Sequence, residues 1–201
     1  MASLNSTLFL WINATPESPH WLLMLATFFA SDMIGIAPVL ITAFWLWGPK
    51  GNLYQQRVLV LKTIIALIYA MIISWCLSLL FTCPQPFVVG LGHQFLHHQS
   101  NDSYPGNHSV VIFTFGLAFL CWHRLWSAIT LLTFGTIISW AHIYLGVHWP
   151  LDILCGLVVG ALACLFSQMA WQFYGDTFMQ RCSLFYRWLF AIPIRKGWMR
   201  D

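Results

Sequence analysis

The chain has 201 residues, of which 59% are hydrophobic and only 7% charged. Soluble domains run at roughly half and a quarter, so a water-soluble fold is excluded. Nine Lys and Arg against six Asp and Glu leave a formal charge of +3, too little to neutralise a nucleic-acid backbone, and nucleic acid is excluded as a partner.

In chain order, residues 1–20 contain a short apolar stretch over 4–12 that cannot cross a bilayer core about 30 Å thick. No Lys or Arg precedes Lys50, so the positive region of a signal peptide is missing, and the stretch reads as an interfacial segment. Apolar runs over 21–47, 58–81, 128–147 and 149–171 are each long enough to span. A shorter run over 108–122 makes a fifth span, its first turn at interfacial depth. The expected fold is an all-α integral membrane protein. A bundle of about five transmembrane helices over 21–171, with a loop at 82–109, is followed by a basic, aromatic tail over 172–201. In the last span Gly156, Gly160 and Cys164 form a small-residue stripe that lets another helix approach closely, and packing inside the bundle is its expected use. The six cysteines lack any C-x-x-C pair, so neither a disulfide framework nor a thiolate zinc site is indicated.

Basic residues are retained on the cytoplasmic side of a membrane. With five alternating spans, Lys50, Arg57, Lys62, Arg124 and the tail residues Arg181, Arg187, Arg195, Lys196 and Arg200 all fall on one side. Residues 1–20, the 82–109 loop and the turn near His148 carry none. The N-terminus and the 82–109 loop are therefore placed outside and the tail inside, where its basic and aromatic residues suit an anionic leaflet.

Two histidines stand at helix starts. His108 follows Tyr104-Pro105-Gly106-Asn107, a turn sequence in which Asn107 is the expected N-cap. His148 precedes Trp149-Pro150, and proline suits the first turn of a helix. Free N–H groups and the helix dipole favour an anion at such positions, so one anionic guest could be shared by both. His148 and Asp152 have i, i+4 spacing, which lets the carboxylate hold one ring nitrogen and leave the other as nucleophile or base. An acidic residue within an apolar span is also a functional pointer in its own right. A haem bundle fits poorly, because axial histidines belong mid-span. A cluster of His93, His97, His98 and Asp102 has ligand types that zinc accepts but lies in a Gly- and Asn-containing loop, and no metal is assigned. Four Asn-x-Ser/Thr sequons, at Asn5, Asn13, Asn101 and Asn107, read as loop composition.

The stretch from Ala141-His142 through Gly146-Val147-His148-Trp149-Pro150-Leu151-Asp152 resembles the third signature of the type 2 phosphatidic acid phosphatase superfamily, Ser-Arg-x5-His-x3-Asp. Tyr104-Pro105-Gly106-Asn107-His108 resembles the second, Pro-Ser-Gly-His, and Gln85-Pro86-Phe87 falls where the first, Lys-x6-Arg-Pro, ends. Phe95-Leu96-His97-His98, the run from Phe119 to Trp126 and the ending from Pro193 to Trp198 are similar to the enterobacterial undecaprenyl-diphosphate phosphatases of that superfamily. The resemblance implies a multi-pass protein of the bacterial inner membrane that hydrolyses an isoprenyl diphosphate lipid at its outer face. It also implies His148 as nucleophile, Asp152 as its orienter, His108 as general acid and no cofactor.

The matching is incomplete at the phosphate ligands. Gln85 stands for the first-signature arginine, Ser78 for its lysine, Gly106 for the serine of the second signature and His142 for the arginine of the third. Gln85, Gly106, Asn107 and His142 thus become the expected substrate-binding positions. Phosphoryl transfer relies on neutralising oxygen charge, and the outer side offers only histidines, or a cation bridging them, as positive groups. Activity is accordingly expected to rise as the pH drops toward the ordinary imidazole value of about 6.5, or to need added metal. Two alternatives share the resemblance: a lipid A phosphotransferase, differing only in the phosphoryl acceptor, and a catalytically silent lipid-binding homologue.

Overall fold

The structure, a computed structural model, describes residues 2–31, 35–46, 52–81, 83–96 and 106–196. Among them the chain forms eight helices and no strand: α1 (Ala2–Ile12), α2 (His20–Ser31), α3 (Ile36–Leu46), α4 (Leu53–Leu80), α5 (Asn107–Trp122), α6 (Leu125–Tyr144), α7 (Pro150–Leu189) and α8 (Ala191–Arg195). Helices α4, α6 and α7 are long and apolar enough to cross a membrane, and α2 and α5 are shorter apolar helices. The expected first span, 21–47, is two helices, α2 and α3. The 149–171 span does not stop at its apolar limit, because α7 runs on through the tail to Leu189.

The outside of the bundle is apolar. Met71, Ile72 and Trp75 on α4, and Leu154, Val158, Leu165 and Phe173 on α7, are all exposed. Water would not tolerate so continuous an apolar exterior, whereas hydrocarbon does. The interior is built around α5, which packs on α4, α6 and α7. At 16 residues it is about 24 Å long, shorter than a bilayer core, and its neighbours cover it along most of its length. Val110, Ile112, Phe115, Ala118 and Phe119 are buried there.

The α5–α7 contact uses the small-residue stripe. A Cβ on Gly160 would lie 2.9 Å from the Thr114 backbone nitrogen, and one on Gly156 would lie 3.0 Å from that of Val110. Cys164 continues the row, its Sγ 3.7 Å from the Thr114 carbonyl oxygen. Packing within the bundle is thus the observed use of the stripe.

Helix α7 is bent. The Ser167 hydroxyl donates to the Lys62 carbonyl of α4 at 2.7 Å, and the Tyr186 ring lies 4.7 Å from the Arg57 guanidinium. On straight helices Ser167 and Tyr186 would be about 28 Å apart, and Lys62 and Arg57 only about 8 Å. Both contacts coexist because α7 turns back toward α4 between them. Gly175 lies in that interval with the Trp171 ring folded against it.

Candidate active site

The site grows from the turn that joins α6 to α7. The N–H groups of Val147 and His148 both point to the His142 carbonyl, at 2.9 and 3.4 Å, so the chain reverses and brings His148 back beside His142. Gly146 makes this possible. Its φ of +80° is left-handed, and a side chain there would run into the His93 carbonyl. The imidazoles of His142 and His148 lie 5.6 Å apart between centroids. From the first turn of α5, His108 stacks on the other neighbour, its ring 5.0 Å from that of His142 at an interplanar angle of 29°. His142, 1% exposed, therefore touches both histidines that begin helices.

Asp152 is equally buried and is anchored at the start of α7. Its Oδ2 accepts from the Trp149 N–H at 2.9 Å, satisfying a free donor at the start of α7, and lies 3.4 Å from His148 Nδ1. The i, i+4 geometry read from spacing is realised, and Nε2 becomes the nitrogen of His148 that faces away from the carboxylate. The tautomer of His142 follows from its partner: Nδ1 lies 2.8 Å from the Ile138 carbonyl oxygen, which can only accept, so Nδ1 carries the proton and Nε2 is directed elsewhere.

Gly106 rather than Asn107 is the N-cap of α5. The helix begins one residue earlier than its turn chemistry suggests because Asn107 is engaged sideways, its Oδ1 accepting from the Ser74 hydroxyl of α4 at 3.0 Å. Gly106 borders His148, and a Cβ there would lie 3.3 Å from His148 Cε1. The position that resembles a signature serine is thus beside the His148 imidazole. Gln85 is buried, and its Oε1 meets no donor among the described residues. Its loop is tied to α7 next door, where the Trp149 indole N–H donates to the Pro84 carbonyl at 2.9 Å.

His93 is held through its backbone. Its N–H donates to Asn13 Oδ1 at 2.7 Å and its carbonyl accepts from Asn13 Nδ2 at 2.9 Å. His97, His98 and Asp102 lie outside the described residues. Among the described residues no group of three or more His, Cys, Asp and Glu is placed to hold a metal ion.

Sequence reasoning missed the N-terminal segment. Asn13 Nδ2 also donates to the Tyr144 carbonyl at 3.1 Å, so one amide joins the N-terminus, the 83–96 loop and the end of α6. Asn5 Oδ1 accepts from the Leu151 N–H at 3.2 Å, and Phe9, fully buried, packs on the Trp149 ring at 5.3 Å. Helix α1 is therefore docked on the start of α7. The only pattern marking Asn5 and Asn13 in the sequence was the sequon, which pointed to loop surface, whereas Asn13 is 8% exposed.

The chain is similar to several known proteins. YbjG of Escherichia coli (strain K12), provisionally named an undecaprenyl-diphosphatase, is 50% identical over the full length of both chains. The undecaprenyl-diphosphatase BcrC of Bacillus subtilis (strain 168) is 29% identical over 62% of each chain. The crystal structure of Aquifex aeolicus LpxE superposes with a TM-score of 0.65 at 24% identity, covering 83% of this chain and 95% of that one, a likeness of fold. The PAP2 superfamily model matches residues 58–176, a segment containing all three histidines and Asp152, and the chain belongs to the PAP2 superfamily.

Proposed function

We propose that the chain is a lipid phosphatase that hydrolyses undecaprenyl diphosphate to the monophosphate, with His148 as nucleophile. The observation that carries this reading is the joining of His108, His142 and His148 in one ring cluster, with Asp152 paired to Nδ1 of His148. Support for the substrate comes from the relatives, two of which bear the name undecaprenyl-diphosphatase.

In the proposed reaction Nε2 of His148 attacks the terminal phosphorus while the bond from that phosphorus to the bridging oxygen breaks. His108 donates a proton to the departing lipid monophosphate, and Asp152 stabilises the charge left on the imidazole. Water, deprotonated by His108, then cleaves the phosphohistidine and releases inorganic phosphate. His142, protonated at both nitrogens, would supply positive charge to the phosphoryl oxygens. The N-terminal N–H groups of α5 and α7 add to it. This scheme requires no metal.

The lipid tail stays in hydrocarbon while its headgroup reaches the ends of the helices. The site is assigned to the outer face of a bacterial inner membrane and the 172–201 tail to the cytoplasmic side, on the strength of the one-sided distribution of Lys and Arg. The test is phosphate release from undecaprenyl diphosphate by detergent-purified protein beside His148→Ala. Wild type is expected well above background and the variant at background. Equal background release from both would mean a silent homologue.

A further inference from the structure

The end of the bundle remote from the histidines holds a second feature. Where α7 turns back after its bend, it encloses with α3 and α4 a groove of about 510 Å³, walled by Ile41, Trp45, Ile64, Phe185 and Leu189 among others. One charged side chain lines it, Arg181. Behind the wall Arg57 is 5% exposed, its guanidinium 5.5 Å from the Trp45 ring centre and 4.7 Å from that of Tyr186. The described Lys and Arg side chains all belong to this end, and Asp176 is the one acidic residue among them there.

We propose that this groove binds an anionic phospholipid of the surrounding leaflet, with an acyl chain along the apolar wall and its phosphate at Arg181. The wall alone would accept any lipid chain. Arg181, an exposed residue on the groove lining, with Arg57 adding positive potential from behind, favours a lipid of net negative charge. The site is separate from the histidine cluster and does not depend on the reading of that cluster.

The experiment follows Cys182, half-buried on the groove wall. Detergent-purified full-length protein is treated with a maleimide in mixed micelles containing phosphatidylglycerol or phosphatidylcholine, and adducts are read residue by residue by mass spectrometry. Cys76, exposed on α4, reports general changes in reactivity. Phosphatidylglycerol is expected to slow Cys182 modification about five-fold more than phosphatidylcholine, the value of one basic group near an anionic headgroup, with Cys76 unchanged. Arg181→Gln should bring the two lipids to parity. Arg187→Gln, which removes the same charge from a different face beside Tyr54 and Asp176, should keep the difference. Equal protection by both lipids in the wild type would overturn the proposal, as would an equal loss in the two arginine variants, which would mean general charge attraction.

Discussion

His142 sits where a fixed cation is expected and is a cation only when protonated. Its Nδ1–H is committed to the Ile138 carbonyl, so any change of charge occurs at Nε2, beside the His108 and His148 rings. Substrate binding should therefore strengthen as the pH falls and the His142 imidazole takes up its second proton, a rise that a fixed cation would not show. The paired change Gln85→Arg with His142→Arg should raise kcat/KM by at least about ten-fold and flatten the acid-side rise. That is a modest part of the 10³–10⁵ that an arginine clamp is worth in related chemistry. A rate unchanged by the pair in a phosphate-release assay would count against the clamp role. His123, in the connection between α5 and α6, supplies a separate test of stability. Burial, followed by the neighbouring Arg124, holds its pKa below the ordinary imidazole value. The unfolded chain thus takes up the proton first, and stability should fall as the pH drops below about 6.5. The fall is complete once the folded-state pKa is passed. His123→Asn should remove this slope from thermal unfolding curves recorded between pH 5 and 8.

Among the elements, the α5–α7 pair is held at backbone distance by glycine. Gly160→Val would force methyl groups onto the Thr114 backbone. Overpacking of this kind costs about 1–3 kcal/mol, to be seen as a lower midpoint in detergent unfolding. Gly90→Ala adds no contact within 4 Å but strains a φ of +70°, so it serves as a local control. The stripe itself was legible, because four-residue spacing defines one helix face before any partner is known. Helix ends were less so. The apolar run stops near Trp171, yet α7 continues to Leu189, since helical hydrogen bonding does not require an apolar face and the later turns find one against α3 and α4. The run over 21–47 reads as one span by apolar count alone, although Ser31, Asp32 and Gly35, polar and glycine signals, stand in the sequence at the junction of α2 and α3.

At the scale of the whole molecule the turn that carries His148 is braced by the N-terminal segment, far from it in sequence. Asn13 binds the 83–96 loop to the end of α6, and α1 lies over the start of α7. Asn13→Ala would remove both side-chain hydrogen bonds to the His93 backbone and one of those at the Tyr144 carbonyl, which keeps the Ala14 N–H. The expected cost is about 1–2 kcal/mol, since each hydrogen bond lost where water can take over is worth about 0.5–1.5 kcal/mol net. Phosphate release should fall with kcat rather than KM, because the loop and the His148 turn lose their mutual register. A variant matching wild type in both unfolding midpoint and kcat would show that the bridge is dispensable.

The sequence alone determined that the chain lives in a membrane as a helical bundle, and it paired His148 with Asp152. Apolar length and i, i+4 spacing are local properties, set by the helix itself. Only the tertiary structure decided that His142 joins His108 to His148, that Gly106 faces His148, and that Asn5 and Asn13 brace the site from the opposite end of the chain. Those contacts are made between distant segments by the close packing of whole helices, and no local pattern encodes them.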